Sequence, residues 1–234
     1  MLKTWSYSRL TVFEQCPYRA KLQYLDKIPE PARPLPPGKT EHANDRGTRL
    51  HDAAEMYVKG DVELLPELSK FAAEFASLKE LRREGKASLE GEWGFDRSWN
   101  PVGWYSDDVW GRVKLDAMVT IDDTHAVIID YKSGKRQGNE VKHAEQCQLY
   151  GLATLDRNPK LEKITVELWY LDIDDHVPVV YDANDLYVKR KGFTERALAL
   201  TDATEFPKKP SIFNCRWCPY GPKGTGHCPE GVQK

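Results

Sequence analysis

The chain has 234 residues, of which 40% are hydrophobic and 30% are charged, and its formal net charge is −2 at pH 7. A chain of this length can bury the core of one large domain or of two small ones. The small negative charge excludes a global basic field for nucleic acid, so any surface that binds anions must be local. No stretch approaches the ~20 apolar residues of a membrane span and no signal peptide is recognised, so we expect a cytoplasmic protein without a membrane partner.

The N-terminal third is predicted to be helical around one proline-rich loop. Residues 6–25 predict a helix that is interrupted once, because Pro17 lacks an amide hydrogen and suits the first position of a new helix. Five prolines between residues 29 and 40 predict a loop. Further helices are predicted from about residue 46 to 59 and from about 67 to 83, the first with apolar residues at helical spacing.

The middle of the chain changes to the period of strands. A strand is predicted from about residue 87, and from 113 to 121 apolar and polar residues alternate, which is typical of a half-buried strand. A turn at 122–123 leads to a strand over 125–132, which completes a predicted hairpin. The elements that follow are a helix over 140–156, a strand over 164–173 and a helix over 184–200. This order predicts an α/β fold.

Two opposite charges, Asp130 and Lys132, end the second strand of the hairpin. Side chains two residues apart on a strand lie on the same face, and a matching register would bring Asp116 beside them. Two carboxylates and water are ligands that Mg²⁺ or Mn²⁺ prefers, and a lysine beside such a metal can position a water against a phosphate. From spacing alone, a surface salt bridge at a strand end explains the pair equally well.

Other short motifs, taken in chain order with this one, resemble the motif series of RecB-type nucleases in the PD-(D/E)XK superfamily. The series is Gly47-x-x-x-His51, Gly111-Arg-Val-Lys-Leu-Asp116, Asp130-Tyr-Lys132 and Gln146-x-x-x-Tyr150. The segment Ser6-Tyr-Ser-Arg-Leu10 with Cys16-Pro-Tyr18 is similar to the opening of the iron–sulfur branch, which includes CRISPR-associated exonucleases and the AddB nuclease domain. The resemblance covers about residues 6–228.

The resemblance departs from the superfamily pattern at two positions. Leu115 stands where the superfamily name has proline, and Asp130 stands in place of glutamate. Neither change removes a ligand. The resemblance implies a restriction-endonuclease-like core, a central mixed sheet flanked by helices, over residues 41–200 of a single nuclease domain spanning 1–234. It also implies that 1–28 and 205–234 together form an iron–sulfur lobe.

The family's roles carry over by position. The resemblance implies that His51, Asp116, Asp130 and the carbonyl of Tyr131 bind Mg²⁺ or Mn²⁺, and that Lys132 acts on the attacking water.

The same resemblance implies contacts to DNA near the scissile phosphate from Gln146 and Tyr150. Lys135 and Arg136 are further candidates, because they form part of a local basic stretch. Glu92 is predicted as an accessory acid, with Glu90 competing for that role.

Cysteines mark a second candidate site. Five cysteines without a secretion signal predict thiols or metal ligands rather than a disulfide framework. The spacing of Cys215, Cys218 and Cys228 fits zinc or an iron–sulfur cluster, and the resemblance adds Cys16 as the fourth ligand of a [4Fe–4S] cluster. The gap between Cys218 and Cys228 is wide, and His227 adjoins Cys228. A zinc site formed by Cys16, Cys215, Cys218 and either His227 or Cys228 is therefore an alternative, and a site without metal is a third interpretation.

One further cysteine and four tryptophans are predicted to have packing roles. Cys147 is predicted to be a buried thiol. The tryptophans at 93, 99, 104 and 110 are expected to pack against a sheet rather than to stack on bases.

The function expected from these features is a metal-dependent DNA exonuclease that prefers single strands or DNA ends and leaves 5′-phosphates. It would act in recombination, repair, or CRISPR or phage DNA processing, with a helicase or another recombination or CRISPR protein as partner, or as a homo-oligomer. If phage-encoded, it would act in the host cytoplasm. The alternative is a non-catalytic DNA-binding or assembly subunit that keeps the nuclease fold and holds a structural zinc.

Overall fold

A computed structural model describes residues 1–60, 62–134 and 136–232. The chain divides into two compact units, one formed by Met1–Pro34 with Gly192–Lys234 and the other by Leu35–Lys191. Within the described residues, no helix has the length and apolar character needed to cross a membrane.

The order of strands and of helices longer than one turn follows the predicted one with two additions. The helices are α1 (Tyr7–Gln15), α2 (Pro17–Ala20), α3 (Ala43–Lys59), α4 (Ala72–Arg83), α5 (Glu140–Arg157), α6 (Ala183–Thr201) and α7 (Ile212–Cys215). The strands are β1 (Ala87–Phe95), β2 (Pro101–Val102), β3 (Gly111–Thr120), β4 (His125–Lys132), β5 (Lys163–Tyr170) and β6 (Asp175–Asp182). A π-helical turn, Lys21–Leu25, follows α2, and a 3₁₀ turn, Pro66–Phe71, precedes α4.

The additions are β2 and β6, and both lie at edges of the sheet. The predicted strand over 164–173 ends earlier, because a tight turn with Asp174 in the left-handed region (φ 54°) reverses the chain into β6. Pro178 lies in the middle of β6, although proline is unfavourable inside a sheet. An edge strand tolerates proline, since only one side of the strand must donate to a neighbour.

One six-stranded mixed sheet organises the unit Leu35–Lys191. The strand order is β2-β1-β3-β4-β5-β6, with β4 and β5 parallel and every other pair antiparallel. The parallel pair is joined through α5, which packs against β5 and β3. The protein therefore has the α/β architecture expected of a restriction-endonuclease-like core.

The main core lies between one face of this sheet and the helices α3 and α4. Aromatic rings fill its centre, where Phe75 lies 5.3 Å from Tyr131 and 5.4 Å from Trp169 between ring centroids. The apolar residues that predicted the stripe of α3, Leu50, Ala54 and Val58, are buried in the same cluster. Their burial fixes the rotation of α3 and thereby the position of His51 on it.

Candidate active site

The strands β3 and β4 stop pairing at the position of the acidic residues. Their ladder ends at Ala117 and Ile129, and the next two residues in that register are Asp116 and Asp130. These carboxylates therefore lie on opposite strands just beyond the last pair, and Lys132 shares the face of Asp130. The structure thus brings together the two carboxylates and the ammonium that the sequence predicts at one end of the hairpin.

Asp116 connects helix α3 to strand β4. His51 Nδ1 lies 3.0 Å from Asp116 Oδ1, and the backbone N–H of Tyr131 donates to Asp116 Oδ2 over 2.6 Å. Burial opposes protonation of His51, but the hydrogen bond to Asp116 and the charges of Asp116 and Asp130 outweigh burial and raise the pKa of His51. The predicted ligands His51 and Asp116 are therefore adjacent and electrostatically coupled.

Gly47 lets α3 approach the end of β4 closely. A Cβ atom at Gly47, one turn before His51, would come 3.0 Å from Ser133 Oγ. Arg46 contributes to the same junction, because its Nη1 donates to the Ser133 carbonyl at 3.4 Å. Its guanidinium also donates to both oxygens of Asp172, at 2.7 and 3.0 Å. The glycine of the first motif thus has a packing role that supports the placement of His51.

Lys132 belongs to a closed ring of four polar side chains. Its Nζ donates to Gln146 Oε1 at 2.8 Å and lies 2.5 Å from Asp130 Oδ2. Gln146 Nε2 donates to the Tyr150 hydroxyl at 2.5 Å, which donates to Asp130 Oδ1 at 3.3 Å. Gln146 and Tyr150 lie four residues apart on α5 and share one face, as their spacing predicts.

Burial and neighbouring charges raise the pKa of two groups in this ring, Asp130 and Tyr150. Asp130 is only 4% exposed, and burial raises its pKa, with Lys132 opposing that shift and Asp116 adding to it. Burial together with the charge of Asp130 raises the pKa of the Tyr150 hydroxyl far above its usual value. Tyr150 therefore stays protonated and can only donate towards the carboxylate.

Of the two acids predicted on β1, Glu90 is the one opposite Asp116. The register of β1 with β3 places it there, and its backbone adopts a left-handed conformation with φ 47°. Burial raises the pKa of Glu90; its ion pair with Lys114 opposes the shift and the charge of Asp116 adds to it. Glu92 is exposed and lies opposite Lys114.

The remaining predicted DNA contact that can be placed is Arg136. Its guanidinium is exposed and donates to Asp175 Oδ2 at 2.6 Å. Lys135 lies outside the described residues.

Sequence reasoning missed two residues beside the site, Glu55 and His143. Glu55 follows His51 by four residues on α3, and its charge contributes to the raised pKa of Glu90. His143 precedes Gln146 by three residues, and its Nδ1 lies 2.6 Å from the Tyr170 hydroxyl. Helical spacing from His51 and from Gln146 would have pointed to both residues.

The donor atoms at this site fit a hard divalent cation. Among the described residues, no group of three or more His, Cys, Asp or Glu side chains is arranged to hold a metal, either at this site or at the cysteines. The oxygens of Asp116 are engaged by His51 and by the Tyr131 amide. The set nevertheless has the right chemistry, an imidazole and two carboxylates. Asp130 Oδ2 is buried without a hydrogen bond of acceptable angle, despite its short distance to Lys132, and such an atom is a suitable metal ligand.

The four predicted cluster ligands lie together in the unit formed by both chain ends. Cys16, Cys215, Cys218 and Cys228 line one cavity, and none forms a disulfide. Burial raises the pKa of Cys228, the charge of Lys208 opposes this, and the other three cysteines add to it.

His227, the alternative zinc ligand, does not line this cavity, and its Nδ1 lies 2.8 Å from Thr225 Oγ1. The cavity wall is therefore formed by the thiol of Cys228 and not by the neighbouring imidazole.

The packing predictions are confirmed for Cys147 and for two of the four tryptophans, whereas Trp93 and Trp104 are half-buried. Cys147 is fully buried, and burial together with the charge of Asp130 raises its pKa to about 12. Trp99 and Trp110 are buried edge to face, with ring centroids 6.2 Å apart.

Comparisons with known proteins agree with this architecture. A family model described as "PD-(D/E)XK nuclease superfamily" matches residues 4–222. A search of curated proteins found no match. The chain resembles a crystal structure of a protein from Eubacterium rectale that is named as a putative exonuclease, with 12% identity and a TM-score of 0.50, over 88% of this chain and 84% of that one. The structure of SSO0001 is 15% identical over 98% of this chain and 88% of that one, with a TM-score of 0.45.

At 12% identity the Eubacterium rectale structure supports the fold alone, and nothing is concluded from SSO0001. The family model covers nearly the whole chain, including the acidic pair, Lys132 and the motif residues on α3 and α5. The chain therefore belongs to the PD-(D/E)XK nuclease superfamily.

Proposed function

We propose that the protein is a metal-dependent deoxyribonuclease that hydrolyses phosphodiester bonds of single-stranded DNA or of DNA ends. The observation that carries this proposal is the convergence of Asp116, Asp130 and Lys132 where β3 and β4 separate. A surface salt bridge would be exposed and isolated, whereas Asp130 is buried and joined to three further polar side chains. Desolvating a carboxylate without a function is costly.

Mg²⁺ or Mn²⁺ would be held by His51, Asp116 and Asp130, with the Tyr131 carbonyl as the further ligand that the resemblance implies. Such a metal polarises the scissile phosphate and lowers the pKa of a bound water. Glu90 is better placed than Glu92 to act as the accessory acid, since it lies opposite Asp116.

The chain's own groups would supply orientation and charge. Lys132 would position the attacking water and stabilise the negative charge that grows on the phosphate. Gln146 and Tyr150 would hold Lys132 and Asp130 in place through the ring of hydrogen bonds, in addition to the DNA contacts predicted for them. Arg136 would contact the DNA backbone if its bond to Asp175 were exchanged for one to phosphate.

The proposal is tested with Asp130→Ala and Lys132→Ala, assayed on DNA with Mg²⁺ and with Mn²⁺. Lys86→Ala is a matched control, because Glu84 and Lys86 also form an ion pair between residues two apart, but on the exposed surface. We expect cleavage to be lost in the two site variants and kept in the control. Full cleavage by both site variants would refute the assignment and favour a non-catalytic DNA-binding subunit.

The preference for ends is tested separately. End-labelled single and double strands are digested over time beside circular forms of the same sequence. An exonuclease degrades the linear forms progressively and leaves the circles intact. Cleavage of the circles at a similar rate would make the enzyme an endonuclease.

We further propose that the four clustered cysteines bind a [4Fe–4S] cluster. Support comes from four unpaired thiols that line one cavity and that belong to both chain ends. Protein purified without oxygen should be brown and contain iron and sulfide near four each per chain. A colourless protein with one zinc would establish the alternative site.

A further inference from the structure

The two units of the chain carry opposite net charges. The unit Met1–Pro34 with Gly192–Lys234 has 12 Lys and Arg against seven Asp and Glu, a net charge of +5, so that the unit Leu35–Lys191 has 22 against 29, a net charge of −7. The overall charge of −2 conceals this division. A polyanion is therefore repelled on average by the unit with the candidate active site and attracted by the cysteine-bearing unit.

The cysteine-bearing unit also exposes two large aromatic rings. Phe213 is 94% exposed and Trp217 is 75% exposed. Phe213 belongs to α7, and Trp217 follows the end of that helix by two residues. Exposed apolar area beside charged groups often marks a binding site.

The exposure of Phe213 follows from the way α7 is anchored. Ser211 Oγ accepts the Asn214 amide N–H at 3.0 Å and begins the turn. Asn214 Nδ2 donates to the carbonyl oxygens of Gln15 and Lys209 at 2.8 and 3.0 Å, and Cys215 is buried. Because these neighbours point inward and are bonded, Phe213 is held outward by a fixed turn.

Positive charge lies beside the second ring. The guanidinium carbon of Arg216 is 5.1 Å from the centroid of Trp217. In the described part of the chain, no carboxylate forms an ion pair with Arg216, whereas Lys208 of the same segment is paired with Glu230 at 2.8 Å. Trp217 and Arg216 also line a groove with Lys223 and with Arg33, on the other chain end.

We infer that Phe213, Arg216 and Trp217 form a binding surface for single-stranded DNA, called here the stacking surface. Each exposed ring offers a face to an unstacked base, and the guanidinium neutralises a phosphate beside it. This combination binds single strands with little regard to sequence, because every base has an aromatic face. The bases of a duplex are already stacked on one another, so the surface selects single strands.

This inference deepens the proposed function by assigning a strand preference to a surface outside the acidic site. It is tested by binding alone, without added divalent cation, so that cleavage does not interfere. The probes are a labelled 20-nucleotide oligo-dT, a 20-base-pair duplex and heparin, which carries charge but no bases. Affinity is measured by fluorescence anisotropy on protein with its native metal content.

The variants are Phe213→Ala, Trp217→Ala and Arg216→Gln. Each ring removal should weaken oligo-dT binding about 5- to 100-fold and leave heparin binding within about twofold. Arg216→Gln should weaken both and lower the salt dependence of binding by about one phosphate contact. Trp217→Phe should restore most of the affinity for oligo-dT, because it keeps an aromatic face.

The matched control is Tyr105→Ala. Tyr105 is 84% exposed and lies 5.9 Å from the guanidinium of Arg112, but it belongs to the acidic unit. We expect its removal to leave oligo-dT binding unchanged. Metal content and thermal unfolding should also be unchanged in the ring variants, since neither ring is part of the core.

The stacking surface is refuted if the ring variants bind oligo-dT as the wild type does, or if Tyr105→Ala loses as much affinity as they do. The outcome is separate from that of the cleavage test. Loss of oligo-dT binding with normal cleavage by Asp130→Ala would keep the surface and reject the nuclease site. The reverse pattern would keep the nuclease site and reject the surface.

Discussion

Asp116 Oδ1 lies 3.0 Å from Nδ1 of His51, while Oδ2 accepts the backbone N–H of Tyr131 on the neighbouring strand. One side chain thus fixes a helix and two strands at the point where the metal ligands are predicted. Asp116 therefore has a structural role, in these contacts, and a predicted chemical role, as a metal ligand. A substitution to alanine would remove both roles at once.

Asp116→Asn is predicted to keep the fold and to lose cleavage by about 100-fold or more. The amide oxygen of asparagine can still accept the Tyr131 N–H, whereas the charge that would bind the metal is gone. Asp116→Ala should in addition destabilise the protein by about 1–3 kcal/mol, because it leaves a buried N–H without an acceptor. Urea unfolding and a cleavage assay on both variants distinguish the effects; equal stability of both would contradict the structural role.

Gln146 and Tyr150 are predicted to act as one unit with Lys132 and Asp130. Gln146→Ala and Tyr150→Phe should each lower the rate of cleavage about 10- to 100-fold, as residues that orient catalytic groups do. The double variant should lose less than the product of the two, since either change opens the same ring. A double-mutant cycle on kcat measures this, and fully multiplicative losses would show that the two residues act independently.

His143 should make the protein less stable below neutral pH. Burial, aided by the charge of Lys132, lowers its pKa to about 4 from an ordinary value of 6.5. The unfolded chain therefore binds a proton between these values that the folded protein does not bind. The stability from His143 is complete above pH 6.5 and is lost as the pH falls towards 4. In His143→Gln, the difference in unfolding free energy between pH 7.5 and pH 5 should become smaller, and an unchanged difference would contradict the prediction.

Cys16→Ser is predicted to remove most of the bound metal and to lower the thermal midpoint, because metal binding to clustered thiolates contributes to folding. Cys147→Ser is the control, since Cys147 is fully buried and does not line the cysteine cavity. Metal analysis should show full occupancy in the control. Full occupancy in Cys16→Ser would mean that the N-terminal cysteine is not a ligand.

Much of the fold could be predicted because its signals are local. The alternation of β3 and the apolar stripe of α3 each reflect the face that a single element buries. The edge strand β6 was not predicted, and only its position in the sheet explains why Pro178 is tolerated there. The edge position of β6 follows from its pairing with β5, and no local sequence pattern reveals that pairing.

The site shows the same limit. The motif order predicted that His51, Asp116, Asp130 and Lys132 come together, although only Asp130 and Lys132 lie at the end of their element. The bonds that close the ring through Tyr150, and the choice between Glu90 and Glu92, depend on register and on the left-handed backbone at Glu90. The opposite net charges of the two units were not predicted either. The total charge does not show which residues belong to which unit, and one unit combines residues from both chain ends.

The early end of the β3–β4 ladder has a consequence for the shape of the cleft. The Asp116 carboxylate accepts the Tyr131 amide N–H, which is then not available to a further backbone pair of the hairpin, so this side chain acts as a spacer between the strands. Removing the spacer would allow the hairpin to close over the position of the metal. Slower amide hydrogen exchange at residues 130–132 in Asp116→Ala would reveal this closure. Loss of cleavage in Asp116→Ala would then have two causes, a closed cleft and a missing metal ligand. Asp116→Asn would test the missing ligand alone.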